Sequence, residues 1–188
     1  RNAAAQMHAR LVGAAEAVLA GWVPIAECAA ALTEAARAYR SGSLAIHQSP
    51  QTIHGDCNYT NILFGPAGAI RVIDFEESRA AWLNPAFDVA KVIERFVLVP
   101  AKANARAVAS AFIRAYRRVA GPLQAPLDLG QILVESNNRA LMILADKQRD
   151  GLSLPAAEWR KFVQLRALAG QQLELLRELS LLASGAAS

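Results

Sequence analysis

One stretch constrains this chain more than any other: Ile53-His54-Gly55-Asp56-Cys57-Asn58-Tyr59-Thr60-Asn61-Ile62-Leu63-Phe64. It sets a carboxylate, Asp56, and a carboxamide, Asn61, on one loop that opens into a short apolar strand. Gly65-Pro66-Ala67-Gly68 follows with strong turn chemistry, and Ile70–Val72 runs as a second apolar strand toward Ile73-Asp74-Phe75. Two such runs around a tight turn predict a hairpin. A carboxylate in a tight loop can take the proton of an attacking alcohol. A carboxamide oxygen is a hard ligand suited to magnesium. Asp74, at the end of the second strand, is the type of anionic ligand that holds a metal against phosphate oxygens. Gly55 lets the backbone turn sharply between His54 and Asp56. The layout is that of a phosphoryl-transfer site built around magnesium.

Most of the remaining sequence has helical period. Apolar positions recur at Met7, Leu11, Ala14 or Ala15, and Val18 in residues 3–20, and at Ile25, Cys28, Leu32, Ala36 and Tyr39 after Pro24. Asn84-Pro85 predicts a helix start, with asparagine as N-cap and proline at the first helical position. The inward face of that helix is expected at Val89, Val92 or Ile93, and Phe96, with Pro100 closing it. Val108, Phe112, Ala115 or Tyr116, and Val119 predict the next, ended by Gly121-Pro122. Residues 127–147 predict another, with Ile132, Leu133, Ser136, Ala140, Ile143 and Leu144 inward. Pro155 opens a last, long helix carrying Trp159, Phe162, Val163, Leu173, Leu176 and Leu179. The fold class expected is mainly α (α+β), a helical bundle in one domain over 1–188 with a small β-hairpin beside the loop.

Composition excludes several functions. With 54% hydrophobic residues the chain has enough apolar surface for a real core. The net charge of +4 is scattered, and Arg114, Arg117 and Arg118 fall on one solvated helix face without interleaved aromatics, so no nucleic acid is expected. Two cysteines and three histidines without shared ligand spacing give no disulfide framework and no zinc site. No apolar run approaches the roughly 20 residues that span a bilayer, so no membrane partner is expected. A reduced, cytoplasmic protein is the expectation.

His54-Gly55-Asp56 with Asn61, then Ile73-Asp74-Phe75, then Asn84-Pro85 with Asp88 in Phe-Asp-Val-Ala, resembles the catalytic half of the aminoglycoside phosphotransferase and choline kinase family, the small-molecule relatives of protein kinases. The specific motifs lie in residues 53–90, and the flanking helices fit the same C-terminal lobe more loosely. The resemblance implies Asp56 as catalytic base, Asn61 and Asp74 as magnesium ligands, and Asp88 bracing the loop from below. His54 reads as an orienting group, because Asp56 is better placed as a base. It implies Mg2+ and ATP or GTP as donor, and a small-molecule acceptor hydroxyl. Gly55 stands where protein kinases carry an arginine that reads activation-loop phosphate. The stretch between Asp74 and Asp88 is too short for a peptide-docking loop. Both favour a small acceptor over switching by phosphorylation.

What the sequence lacks is a nucleotide lobe. No lysine precedes Lys91, and residues 1–52 show no glycine-rich strand-turn-strand. Three readings stay open. The chain, which begins with Arg1 rather than methionine, is a piece of a full kinase whose N-terminal lobe is missing. Or it is a stand-alone lobe that binds a small molecule or metal. Or it is a helical interaction protein with a relic site. The first is adopted, with the isolated chain expected to be inactive and a homo-oligomer expected through apolar surface left exposed where that lobe would sit. Glu76 and Glu77, directly after Asp74, are the leading acceptor-binding candidates, ahead of Glu135, Asp146, Asp150 and Glu158. Trp82 and Trp159 are weighed as stacking platforms against core packing. Cys57, beside the base, is expected to make the site thiol-sensitive.

Overall fold

The computed structural model describes residues 23, 26–40, 45–79, 82–100, 103–124 and 126–186. The helix expected over residues 3–20 lies outside the described residues. The architecture is mainly helical with two small antiparallel sheets. Six α-helices are described: α1 (Ala26–Arg40), α2 (Ala86–Ile93), α3 (Ala105–Ala120), α4 (Leu129–Arg149), α5 (Ala156–Gln171) and α6 (Leu173–Ser184). No described helix is long and apolar enough to cross a membrane. The chain falls into two compact units, one of Arg1–Leu44 with Val134–Ala167, the other of Ala45–Leu133 with Leu168–Ser188.

The first unit is organised by its core. Cys28, Ala31 and Leu32 of α1, Leu141, Met142, Leu144 and Ala145 of α4, and Trp159 of α5 pack into one buried cluster. Phe162 and Val163 lie partly buried against it. Of the predicted stripe, Ile25 and the Tyr39 side chain lie outside the described residues; Cys28 and Leu32 are buried, and Ala35 is buried where Ala36 is only half so. In α4 the polar run Glu135–Arg139 is also buried, so this helix is covered nearly all round rather than on one face.

The second unit carries both sheets. β1 (Gln51–Thr52) pairs with β4 (Trp82–Leu83), setting Gln51 opposite Leu83 and Thr52 opposite Trp82. β2 (Ile62–Phe64) and β3 (Ile70–Val72) form the predicted hairpin, with Ile62 opposite Val72 and Phe64 opposite Ile70. The turn closes through Gly65 N–H to Ala69 O at 2.7 Å, and Gly68 takes the left-handed conformation (φ 77°) that glycine adopts without strain. Both faces of the hairpin are exposed, Phe64 and Ile70 by 70% and 62% on one and Leu63 by 47% on the other.

The helix start at Asn84-Pro85 is built as the residues dictate. Asn84 Oδ1 accepts the Ala86 N–H at 2.9 Å, and Pro85 already has helical angles. Beyond Ile93 the helix widens into a π-turn over Glu94–Leu98, with Val99 N–H reaching Glu94 O at 2.9 Å. One extra residue per turn moves the inward face, so Val97 and Leu98 are buried and Phe96 is only half-buried. In α3 the buried residues are Ala109 and Ile113, one position on from the predicted stripe, and Val119 is 91% exposed. The predicted last helix is two: Gln172 leaves helical geometry (φ −107°, ψ 22°) and separates α5 from α6. The two helices then bury different residues, Trp159 and Leu165 in one, Leu176 and Leu179 in the other.

Trp159 is fully buried, so it is core and not a stacking platform. Trp159→Ala removes the largest side chain of its cluster and should cost about 3–5 kcal/mol. Chemical denaturation followed by circular dichroism would measure this; a variant as stable as the parent would contradict the packing.

Candidate active site

The loop after β1 is held from below by one side chain. Asp88, in the first turn of α2, accepts the His54 N–H at 2.7 Å on Oδ2 and the Gly55 N–H at 3.0 Å on Oδ1. Gly55 is in the left-handed region (φ 86°), which turns two successive N–H groups toward the same carboxylate. The Cys57 thiol also bonds to Asp88. Burial raises the Asp88 pKa, and the Gly55, His54 and Cys57 interactions pull it back only in part.

The His54 ring ties the loop to the hairpin. Its Nε2 lies 2.8 Å from Ile73 O, and its Nδ1 lies 3.3 Å from the Asp56 N–H. A carbonyl only accepts and an amide only donates, so these partners assign the tautomer with the proton on Nε2. The ring packs on Phe75 with centroids 4.7 Å apart. Ile73 is gripped from its other side as well, its N–H donating to Asn61 O at 2.9 Å. Asp74 therefore follows a peptide fixed at both ends by the loop.

Asp56 and Asn61 meet directly. The Asn61 Nδ2 donates to Asp56 O and to Asp56 Oδ2, both at 3.0 Å. Its Oδ1 lies 3.2 Å from the Thr60 hydroxyl, whose single proton it shares with the nearer Asn58 Oδ1, and keeps a lone pair. Asp74 is exposed, sits in the left-handed region (φ 62°), and has no hydrogen-bond or ion-pair partner among the described residues. Aspartate tolerates that conformation better than most side chains, yet it remains uncommon away from glycine. The oxygens of Asn61 and Asp74 are the hard donors that magnesium takes. Among the described residues no three His, Cys, Asp or Glu side chains gather as a metal-binding group.

Thus His54, Asp56, Asn61 and Asp88 share one network, with Asp74 fixed at its edge. Glu76 and Glu77 lie on the 3-10 turn Glu76–Arg79, Glu76 exposed and Glu77 half-buried. Glu76 makes no hydrogen bond to this network among the described residues. Asp146, Asp150 and Glu158 belong to the other unit, where they pair with Arg149 or Lys161. Glu135 is buried in that unit as well, and Trp82 is half-exposed on β4. Beside the loop, a cleft of about 390 Å³ is lined by Gln51, Thr52, His54, Phe75, Asp88 and Tyr116 among others. Burial, and next the Asp88 charge, raise the Tyr116 pKa.

Sequence reasoning missed two participants. Asn58 donates from Nδ2 to Asp56 Oδ2 at 2.9 Å, and the signal was an Asx residue two positions after a carboxylate in a turn. Lys91 is buried with its Nζ 2.7 Å from Glu94 Oε2, and Arg95 Nε lies 3.2 Å from the same oxygen. Lys-x-x-Glu on an otherwise apolar helix was its signal. Lys91's pKa is lowered by burial, against the pull of Glu94.

The environment of Cys57 opposes the thiol sensitivity expected of it. Burial, then the charge and hydrogen bond of Asp88, then the charge of Asp56, push this thiol up to about 12 from 9.0. Its thiolate fraction at pH 8 is then roughly 1000-fold below that of an ordinary cysteine. Cys28 is pushed up to about 11, chiefly by burial. Iodoacetamide at pH 8 should label neither cysteine of the folded chain in the time that modifies a free thiol, and Asp88→Asn should speed labelling at Cys57. Rapid labelling of Cys57 in the parent would contradict the assigned environment.

The chain matches the model of the phosphotransferase enzyme family over residues 2–124, a span that takes in the whole network, the hairpin and α2. No curated protein and no solved structure matches it. The family match extends over more than half the chain, and the protein belongs to the phosphotransferase enzyme family.

Proposed function

We propose that this protein is the catalytic-loop half of an ATP- or GTP-dependent O-phosphotransferase acting on the hydroxyl of a small molecule, an aminoglycoside or a related amino alcohol or sugar. The observation that carries the reading is the joint fixing of Asp56 and Asn61 on one loop with Asp74 beside them. Magnesium, when bound, neutralises charge on the donor's phosphate oxygens. Asn61 Oδ1 and the Asp74 carboxylate would hold it. Asp56 orients the acceptor hydroxyl and takes its proton as the new oxygen–phosphorus bond forms. The bond from that phosphorus to the bridging oxygen breaks, and the nucleoside diphosphate leaves with the electron pair. His54 and Asp88 hold the loop and touch neither reactant. Such a site works by positioning and charge neutralisation more than by covalent chemistry.

Donor phosphates also need a cation that the loop does not supply. Lys91, the first lysine in the sequence, is turned into a buried pair with Glu94. We infer that a second lobe brings that cation and covers the nucleotide, and that the exposed hairpin residues Phe64 and Ile70 are surface it would cover. The isolated chain is then a poor catalyst. Glu76 and Glu77 remain the acceptor-binding candidates, and a cationic acceptor is what they would favour.

Transfer of labelled γ-phosphate to a panel of amino sugars and amino alcohols, with the longest natural form of the chain, tests this. A product is expected with at least one acceptor. Asp56→Asn should lower kcat by about 10²–10⁴-fold, the range of a general base. An active parent with an equally active Asp56→Asn would remove Asp56 from the chemistry.

A further inference from the structure

Two carboxamides converge on a single oxygen of Asp56. Asn58 Nδ2 is 2.9 Å from Oδ2, and Asn61 Nδ2 is 3.0 Å from the same atom. Among the described residues, Asp56 Oδ1 has no hydrogen-bond partner. The two oxygens of this carboxylate are therefore unequal. One has its lone pairs engaged by charge-assisted bonds, and the other is left to accept from outside the loop.

The orientation of Asn58 is fixed independently of Asp56. Its Oδ1 accepts the Thr60 N–H at 2.8 Å and the Thr60 hydroxyl as well. A flipped carboxamide would set its NH2 against that N–H, so the amide face toward Asp56 is the donor face. The main chain of Asn58 is engaged too, its N–H donating to Asp56 O at 2.9 Å and its O accepting the Asn61 N–H at 3.2 Å. Every polar group of this residue acts inside the loop, and one of them reaches the carboxylate.

We propose that Asn58 is a positioning residue for Asp56: it pins Oδ2, halts rotation of the carboxylate, and leaves Oδ1 as the oxygen presented to the acceptor hydroxyl. This rests on the phosphotransferase reading above. In that reaction the hydroxyl proton passes to Oδ1 while the hydroxyl oxygen bonds to phosphorus. A carboxylate free to rotate would offer either oxygen at varying distance. A misplacement on the order of 1 Å costs about 100-fold in rate. Asn61 Nδ2 ties the carboxylate to the Asp56 carbonyl, and Asn58 adds a second, separate donor to the same carboxylate oxygen.

Two measurements separate the clamp from the chemistry. In nuclear magnetic resonance of the 188-residue chain, the side-chain NH2 signals of Asn58 and Asn61 should both move when Asp56→Ala is introduced. An Asn58 signal indifferent to that substitution overturns the proposal. In the active, longest form, Asn58→Asp keeps the acceptor for Thr60 but turns the donor toward Asp56 into a like charge. It should lower kcat about 100-fold with the donor KM unchanged and the melting temperature close to the parent's. Asn58→Gln, which retains a donor, should recover part of kcat, and Asn58→Ser, which cannot reach Asp56, should not. Equal kcat for parent and Asn58→Asp overturns the proposal, as does a loss matched by an equal fall in stability and no recovery in Asn58→Gln. A parent that transfers phosphate to no acceptor overturns the functional reading, and with it the positioning role. The signal shifts would still report the clamp, so the two failures are distinguishable.

Discussion

The carboxylate of Asp88 is the interaction on which the rest of the site depends. It gathers two successive backbone N–H groups, of His54 and Gly55, at 2.7 and 3.0 Å. Hydrogen bonds to a charged acceptor are worth about 1.5–3 kcal/mol each, and leaving such a donor unsatisfied when buried costs about 1–3 kcal/mol. Burial nonetheless raises the pKa of Asp88, so desolvation outweighs what its partners return to the ionised form. A charge kept in place against that balance, where an apolar contact could have held the loop on α2, serves geometry rather than stability. What it sets is the direction of the loop that carries Asp56.

From that anchor the geometry spreads by short steps. His54, fixed through its N–H, uses Nε2 to hold Ile73 O. Asn61 O holds the Ile73 N–H, and Asn61 Nδ2 holds Asp56. The loop and the hairpin therefore share their hydrogen bonds, and Asp74 is delivered by a peptide that cannot shift without breaking two of them. The left-handed angle at Asp74 belongs to this arrangement. A residue held in that region costs on the order of 1–3 kcal/mol where the side chain does not favour it, and such angles gather at functional sites.

Much of this was legible before any coordinates. The hairpin followed from two apolar runs around Gly65-Pro66-Ala67-Gly68, and the start of α2 from Asn84-Pro85, because both rest on local backbone chemistry. The fold class followed from helical period. Helix faces were harder. The π-turn after Ile93 adds a residue to one turn, and no 3.6-residue pattern anticipates it, so Phe96 was placed inward in place of Val97 and Leu98. The break at Gln172 carries neither glycine nor proline, and an apolar pattern that runs through it hides it. Trp159 was ambiguous because an aromatic at helical spacing serves core and stacking alike. Asn58 and Lys91 escaped for a different reason: their roles depend on which partner lies within 3 Å, which spacing alone does not fix.

The proposed function requires the loop and the end of β3 to form one divalent-cation site. Manganese, which takes the same oxygen donors as magnesium and broadens nearby resonances, probes it without a donor nucleotide or a second lobe. Titrated into the labelled chain, it should broaden Asn61 and Asp74 first, and Asp74→Asn should abolish that selectivity. Broadening that begins elsewhere, or that is the same in Asp74→Asn, would contradict the account.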